Sequence, residues 1–78
     1  MLDLKEVLCA MARAIVDEPD MVSVKEETNG DTVTLTLNVA PDDMGLVIGR
    51  HGRIAKAIRS VMKAAANKTG KRVNVEIR

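Results

Sequence analysis

The sequence predicts an α+β domain in the order helix, strand, strand, helix, helix, strand, with one domain covering residues 1–78. Three observations support this: helical apolar spacing near the start, two alternating runs around Asn29-Gly30, and a glycine-interrupted helical stretch before a third alternating run. Because helices connect the second and third strands, those two strands should be parallel, while the hairpin makes the first antiparallel. We therefore expect a mixed three-stranded sheet with helices on one face.

The first helix is predicted over residues 3–17. Asp3 is placed to cap it, and Glu6 follows three residues later as in a capping box. The segment around Pro19 should end the helix, because proline disfavours helix at the preceding residue. Cys9 lies inside the apolar pattern and is interpreted as a small buried side chain. The apolar positions share one helical face: Leu4, Val7, Leu8, Met11 and Ile15.

Two strands follow, at residues 21–28 and 31–39. Valines and leucines alternate with threonines in the second run, which is typical of a strand with one buried face. Asn29-Gly30 between the runs favours a hairpin with a type I′ turn, since both residues readily take positive φ angles.

The second half of the chain predicts two helices and a strand. Pro41-Asp42-Asp43 can start a helix that runs to Ile48 and ends at Gly49, and a longer helix begins after Gly52. Residues 67–70 end it, and residues 71–78 form the third strand. The predicted buried face of the long helix carries Ile54, Ile58, Val61, Met62 and Ala65, and a neighbouring basic face carries Arg53, Lys56, Arg59 and Lys63.

Composition excludes several kinds of site. The chain has no Phe, Trp or Tyr, so bases cannot stack on aromatic rings. One Cys and one His cannot form an internal disulfide or, unaided, a zinc site. No cofactor is expected. The N-terminus lacks the pattern of a signal peptide and no apolar run is long enough to span a bilayer, so we expect a cytoplasmic protein without a membrane partner.

Charge divides the chain by sign. Residues 1–43 carry three basic and ten acidic residues, a formal charge of −7, whereas residues 44–78 carry nine basic residues and Glu76 alone, a charge of +8. Such asymmetry indicates a polyanionic partner, although attraction between the two halves within one fold explains it equally well.

The turn Gly49-Arg50-His51-Gly52 is the strongest candidate site. It joins two helices, so its amides lie near the N-terminus of the second helix, where unpaired N–H groups and the helix dipole favour an anion. Glycine at both ends would let a sugar-phosphate backbone approach closely. Arg50 supplies a forked set of donors and His51 a further one. No acidic residue occurs between Met44 and Arg72, which favours phosphate binding over an ordinary exposed surface.

Val47-Ile48-Gly49-Arg50-His51-Gly52 resembles the V-I-G-x-x-G signature of KH domains. The predicted element order resembles the type II variant over essentially the whole chain, and the short length is similar to the small stand-alone bacterial KH proteins of the KhpA type. The resemblance implies single-stranded RNA bound in a groove between the helix pair and a sheet edge, with the glycine turn clamping the backbone of about four nucleotides.

The resemblance also implies the site residues. The implied set is Val47, Ile48, Gly49, Arg50, His51, Gly52, Arg53, Ile54, Lys56, Ile58, Arg59, Lys71 and Arg72. Ile48 is the preferred base contact, with Val47, Ile54 and Ile58 as further candidates for an apolar wall. It further implies a homodimer, or a heterodimer with a larger KH-containing RNA-binding protein, and a role as an RNA chaperone or post-transcriptional regulator.

Two other classes of function compete with RNA binding. An enzyme is disfavoured, because the chain has no Walker sequence or dinucleotide-binding fingerprint, and Cys9 and His51 lie on separate elements. Adjacent Asp42 and Asp43 are interpreted as partners of a helix dipole and not as a catalytic pair. A protein-interaction adaptor, in which acidic residues dock a basic partner and the glycine turn is only a connection, remains the alternative.

Overall fold

The computed structural model describes residues 3–78. The domain has three helices and three strands, and three of its connections contain short 3₁₀ turns, at Pro19–Met21, Pro41–Asp43 and Arg50–Gly52. The elements are α1 (Leu4–Ile15), β1 (Ser23–Asn29), β2 (Thr32–Asn38), α2 (Met44–Ile48), α3 (Arg53–Thr69) and β3 (Arg72–Ile77). The predicted α+β class and element order are confirmed.

The sheet has the order β1-β2-β3. β1 pairs antiparallel with β2, with Val24 opposite Leu37, and β2 pairs parallel with β3, with Leu35 opposite Val75. Both directions were predicted from the connections, because a hairpin reverses the chain and a helical crossover returns it to the same direction. β2 is therefore the central strand, and β1 and β3 form opposite edges.

The core lies between one face of the sheet and the helices. β2 alternates strictly, with Val33, Leu35 and Leu37 buried and its threonines half-buried on the other face. Leu8 of α1 and Met62 of α3 are fully buried against this face. Partly buried Cys9 packs against the same core, as expected of a small apolar side chain.

The predicted buried face of α3 is partly wrong. Ile54 and Val61 are 38% and 48% exposed, and the buried residues are instead Ala55, Ile58, Met62 and Ala66. These four recur every three or four residues and so form one line along the helix, whereas positions 54 and 61 lie about 100° to its side. The prediction assigned the larger side chains to the buried face, but helix geometry, and not side-chain size, decides which positions face the sheet.

Two further details correct the sequence predictions. Asp3 caps α1 as predicted, by accepting a hydrogen bond from the amide of Lys5 at 3.0 Å, but the helix ends at Ile15, two residues before the predicted end. In the hairpin, Asn29 pairs with Thr32, so the loop is Gly30-Asp31. Of the two, only Gly30 has a positive φ (+63°), which fits a type II′ turn and not the predicted type I′.

α3 ends in a Schellman motif. Gly70 adopts left-handed angles, its amide donates to the carbonyl of Asn67 at 3.3 Å, and the amide of Lys71 donates to that of Ala66 at 3.1 Å. These bonds satisfy the last carbonyls of the helix and turn the chain directly into β3. Among the described residues, no helix is both long and apolar enough to cross a membrane.

Candidate nucleic-acid interface

The glycine turn reverses direction between α2 and α3 through three residues with positive φ. Gly49 has φ +76° and ψ 174°, and its amide donates to the carbonyl of Gly45 at 2.9 Å, which ends α2. The amide of Gly52 then donates to the carbonyl of Gly49 at 3.2 Å and closes a single 3₁₀ turn. Gly52, at φ +73° and ψ 16°, starts α3.

Gly49 and Gly52 differ in what surrounds the position that a Cβ atom would occupy. A Cβ atom on Gly49 would lie 2.8 Å from Cβ and 2.9 Å from the backbone nitrogen of Ile54, and would also overlap Cγ1 of that residue. Glycine at position 49 is therefore required for close packing inside the turn. A Cβ on Gly52 would meet nothing within 4 Å, so the space beside Gly52 is open to an incoming group.

Arg50 and His51 project from this turn into solvent. Both side chains are exposed, and His51 is the only non-glycine residue with a positive φ (59°) among residues 3–78. Histidine is one of the residues that tolerates this conformation better than most. The turn thus presents two donor-bearing side chains beside the N-terminus of α3, where the helix dipole attracts negative charge.

The predicted apolar wall divides into exposed and buried members. Ile48 and Ile54 are 41% and 38% exposed on either side of the turn, as a base-contacting surface requires. Val47 and Ile58, in contrast, are 0% and 3% exposed and belong to the core, so their predicted place in the wall is wrong. Leu46, 41% exposed in α2, was not predicted, because a helix of five residues is too short to show periodicity.

The basic face of α3 extends from the turn toward the middle of the helix. Arg53, Lys56, Arg59 and Lys63 are all exposed. The Nε–H of Arg59 donates to the backbone carbonyl of Val75 at 3.3 Å, which joins this face to the edge strand β3. Arg59 and Lys63 line a shallow groove there with the strand segment 73–76 and Thr34.

The groove runs along the open edge of the sheet. The amides of Arg72 and Arg78 donate at 2.9 Å to the carbonyls of Asp31 and Leu37, on the β2 side. Since backbone groups alternate in direction along a strand, Val73, Val75 and Ile77 turn their N–H and C=O groups toward the open edge. Apart from the carbonyl of Val75, which accepts from Arg59, the edge therefore offers unpaired donors and acceptors beside the basic face.

Lys71 and Arg72 lie at the other end of the domain from the glycine turn. Both are exposed, but they follow the C-terminus of α3, and 17 helical residues separate them from the turn. That length corresponds to about 25 Å. The structure therefore does not bring these two residues together with Arg50 and His51.

The two oppositely charged halves of the sequence do not form ion pairs with each other within residues 3–78. The ion pair found there joins Arg78 to Glu76 at 3.4 Å, and both residues belong to the basic half. The buried carboxylate of the acidic half, Asp43, accepts a hydrogen bond from the backbone amide of Glu18 at 3.0 Å. Within residues 3–78, no ion pair supports internal attraction as the explanation of the charge asymmetry.

Solved structures of similar fold come from a larger protein. An Era variant from Aquifex aeolicus bound to GDP and aluminium fluoride aligns with a TM-score of 0.68 and 20% identity over 95% of this chain. Era in complex with MgGDPNP and nucleotides of 16S ribosomal RNA aligns with a TM-score of 0.67 and 19% identity. The chain spans only 29% and 28% of those two proteins, and at this identity the likeness concerns the fold alone.

Curated relatives match over nearly their whole length. RNA-binding protein KhpA of Clostridium acetobutylicum is 57% identical over 74 residues, which cover 95% of this chain and 99% of the relative. Proteins of the same name from Caldanaerobacter subterraneus and Aquifex aeolicus are 53% and 43% identical, covering 92% and 95% of this chain and 96% and 94% of theirs.

The family model described as "KhpA/KhpB, KH domain" matches residues 5–77. This match and the curated relatives confirm the predicted resemblance, and the mixed sheet with helices on one face is consistent with the type II KH fold. KH domains are generally non-catalytic, in agreement with the prediction that this domain is not an enzyme. The chain belongs to the KhpA/KhpB family of KH domains.

Proposed function

We propose that this domain binds single-stranded RNA without catalysis, with the Gly49–Gly52 turn holding the phosphate backbone and bases lying in the groove between α3 and β3. The observation that carries the proposal is the open space beside Gly52, flanked by exposed Arg50 and His51 at the N-terminus of α3. The names of the curated relatives, which describe RNA-binding proteins, support the same partner.

Each part of the groove has a role in this proposal. Arg50 and His51 donate to phosphate oxygens, and the N-terminus of α3 adds its dipole. Exposed Ile48 and Ile54 contact base faces, which replaces aromatic stacking in a chain without aromatic residues. The unpaired backbone groups of β3 hydrogen-bond to base edges, and the bases must be single-stranded to reach them.

A single KH groove reads few bases, so modest affinity is expected unless two sites are linked. We include in the proposal the homodimer, or the heterodimer with a larger KH-containing RNA-binding protein, that the family resemblance implies. We also propose that the domain acts in the cytoplasm, as the sequence leads us to expect, and that it serves as an RNA chaperone or post-transcriptional regulator, as the resemblance implies. Sedimentation velocity with and without RNA measures the dimer directly, since a dimer doubles the mass of the sedimenting species.

The test is a fluorescence-anisotropy titration of labelled single-stranded RNA with the wild type and an Arg50→Asp/His51→Asp double variant. We expect the variant to lose binding, because both changes put negative charge beside the phosphates. The control is Arg13→Asp/Lys5→Gln on α1, which changes the formal charge by the same amount on exposed positions away from the turn.

Circular dichroism establishes that all three proteins are folded. Binding that survives in the folded Arg50→Asp/His51→Asp variant would show that the turn is only a connection, and the protein-interaction adaptor would become the preferred function. Equal losses in the test and control variants would mean that net charge, and not the turn, controls the affinity.

A further inference from the structure

Arg59 differs from the other basic residues of α3. Its Nε–H is held by the carbonyl of Val75 at 3.3 Å, in a partly buried contact across sixteen residues of sequence. Arg53, Lys56 and Lys63 form no side-chain hydrogen bond to any residue between 3 and 78. Arg59 is thus the member of the basic face whose charged group is fixed against the middle of the edge strand.

The contact with Val75 determines which hydrogen-bond donors of Arg59 remain available to a ligand. A guanidinium can present either Nε together with one terminal amino group, or the two terminal amino groups together. Since Nε is already engaged, the terminal pair is left to a ligand in the groove. Within the described chain these two groups have no hydrogen-bond partner.

The terminal pair fits a partner with two adjacent acceptors. Guanine has this arrangement at O6 and N7, the atoms that arginine contacts bidentately in other nucleic-acid complexes. Cytosine has it at O2 and N3. Adenine and uracil alternate donors with acceptors along each edge, so they can accept only one of the two hydrogen bonds.

We propose that Arg59, oriented by the carbonyl of Val75, selects guanine or cytosine over adenine or uracil at the nucleotide that faces the middle of β3. This inference rests on the proposed RNA-binding function and deepens it. It distinguishes Arg59 from Lys63, which lies in the same groove. Lys63 has a flexible stem and a compact charge, and it acts on phosphates without regard to sequence.

The experiment titrates four labelled RNA octamers: oligouridine, oligoadenine, oligocytosine and alternating uridine-guanosine. The proteins are the wild type, Arg59→Lys, and Lys63→Gln as the control from the same groove. We expect the wild type to bind the cytosine or the guanosine octamer about tenfold more tightly than the uridine and adenine octamers. Whichever of the two is preferred identifies the base.

The variants separate base reading from charge. Arg59→Lys keeps the charge but loses the fork, so it should bind uridine and adenine octamers as the wild type does while the preference falls to within about twofold. Lys63→Gln should weaken binding to all four octamers by a similar factor and leave the preference unchanged. Circular dichroism checks that both variants, which alter exposed side chains, keep their fold.

Four results would contradict these proposals. A preference that persists in Arg59→Lys, or a wild type that binds all four octamers within twofold, would overturn the role of Arg59 while leaving the proposed function intact, provided that Arg50→Asp/His51→Asp abolishes binding. If the wild type binds none of the octamers, the proposed function itself fails. If Lys63→Gln removes the preference as well, the groove responds to charge and Arg59 has no selective role.

Discussion

Replacing Gly49 by alanine should destabilise the domain far more than the same change at Gly52. The new Cβ at Gly49 would lie 2.8 Å and 2.9 Å from Cβ and the backbone nitrogen of Ile54, and a backbone atom cannot easily move away. Overpacking of this kind costs about 1–3 kcal/mol. The angles φ +76° and ψ 174° belong to a region essentially reserved for glycine, which adds about 1–3 kcal/mol. We therefore expect a loss of about 4 kcal/mol.

Gly52 and Gly45 serve as matched controls. Gly52 has left-handed angles but open space around its Cβ position, so Gly52→Ala should cost only the conformational term of about 1–2 kcal/mol. Gly45 lies in α2 without a positive φ and with nothing near its Cβ position, so Gly45→Ala should stabilise the domain by about 0.5–1 kcal/mol. From the most to the least stable, the expected order is Gly45→Ala, wild type, Gly52→Ala and Gly49→Ala.

The assay is urea and thermal unfolding followed by circular dichroism, because a chain without Phe, Trp or Tyr has no intrinsic fluorescence. For a domain of this size a loss of 1 kcal/mol lowers Tm by about 4–8 °C. Gly52→Ala should therefore lower Tm by about 5–15 °C and Gly49→Ala by more than about 15 °C. Stabilities of these two variants within about 0.5 kcal/mol of each other would refute the packing argument.

Three further predictions concern other parts of the domain. Asp43→Ala should cost about 1–3 kcal/mol in urea unfolding, because it leaves the amide of Glu18 without its buried acceptor, whereas exposed Asp42→Ala should change stability by less than about 0.5 kcal/mol. Gly70→Ala should cost about 1–2 kcal/mol through its left-handed angles but leave RNA affinity unchanged, since it lies at the far end of α3. In wild-type titrations log K should fall linearly with log salt concentration, and Lys56→Gln should reduce the slope by about 0.7 if Lys56 contacts one phosphate; an unchanged slope would remove Lys56 from the interface.

Sequence reasoning predicted the elements whose local signals agree with their surroundings. The alternation in β2 and the glycines at both ends of α3 specify those elements almost to the residue, because one buried face and left-handed caps leave few other options. The prediction of a type I′ turn was wrong, because an Asn-Gly pair is compatible with more than one strand register. In this hairpin Asn29 pairs with Thr32, which places Gly30 first in the loop.

The candidate site was predicted in outline and not in its internal contacts. The exposed placement of Arg50 and His51 follows from their position between two glycines, which is a local property. The clash between a Gly49 side chain and Ile54, and the hydrogen bond between Arg59 and Val75, depend on how α3 lies against its neighbours. No pattern along the chain encodes that packing, so the separate roles of the glycines and of Arg59 required the structure.

The charge asymmetry of the sequence gains a spatial meaning from the strand order. β1, which carries Glu26 and Glu27, forms one edge of the sheet, and β3, beside the basic face of α3, forms the other. Since no ion pair joins the two halves within residues 3–78, the charges stay available to outside partners. A polyanion is then attracted to the α3 and β3 side and repelled from the β1 edge. Glu26 and Glu27 would in this way direct RNA toward the groove without touching it, and that effect should weaken as salt screens charges farther apart than about 10 Å.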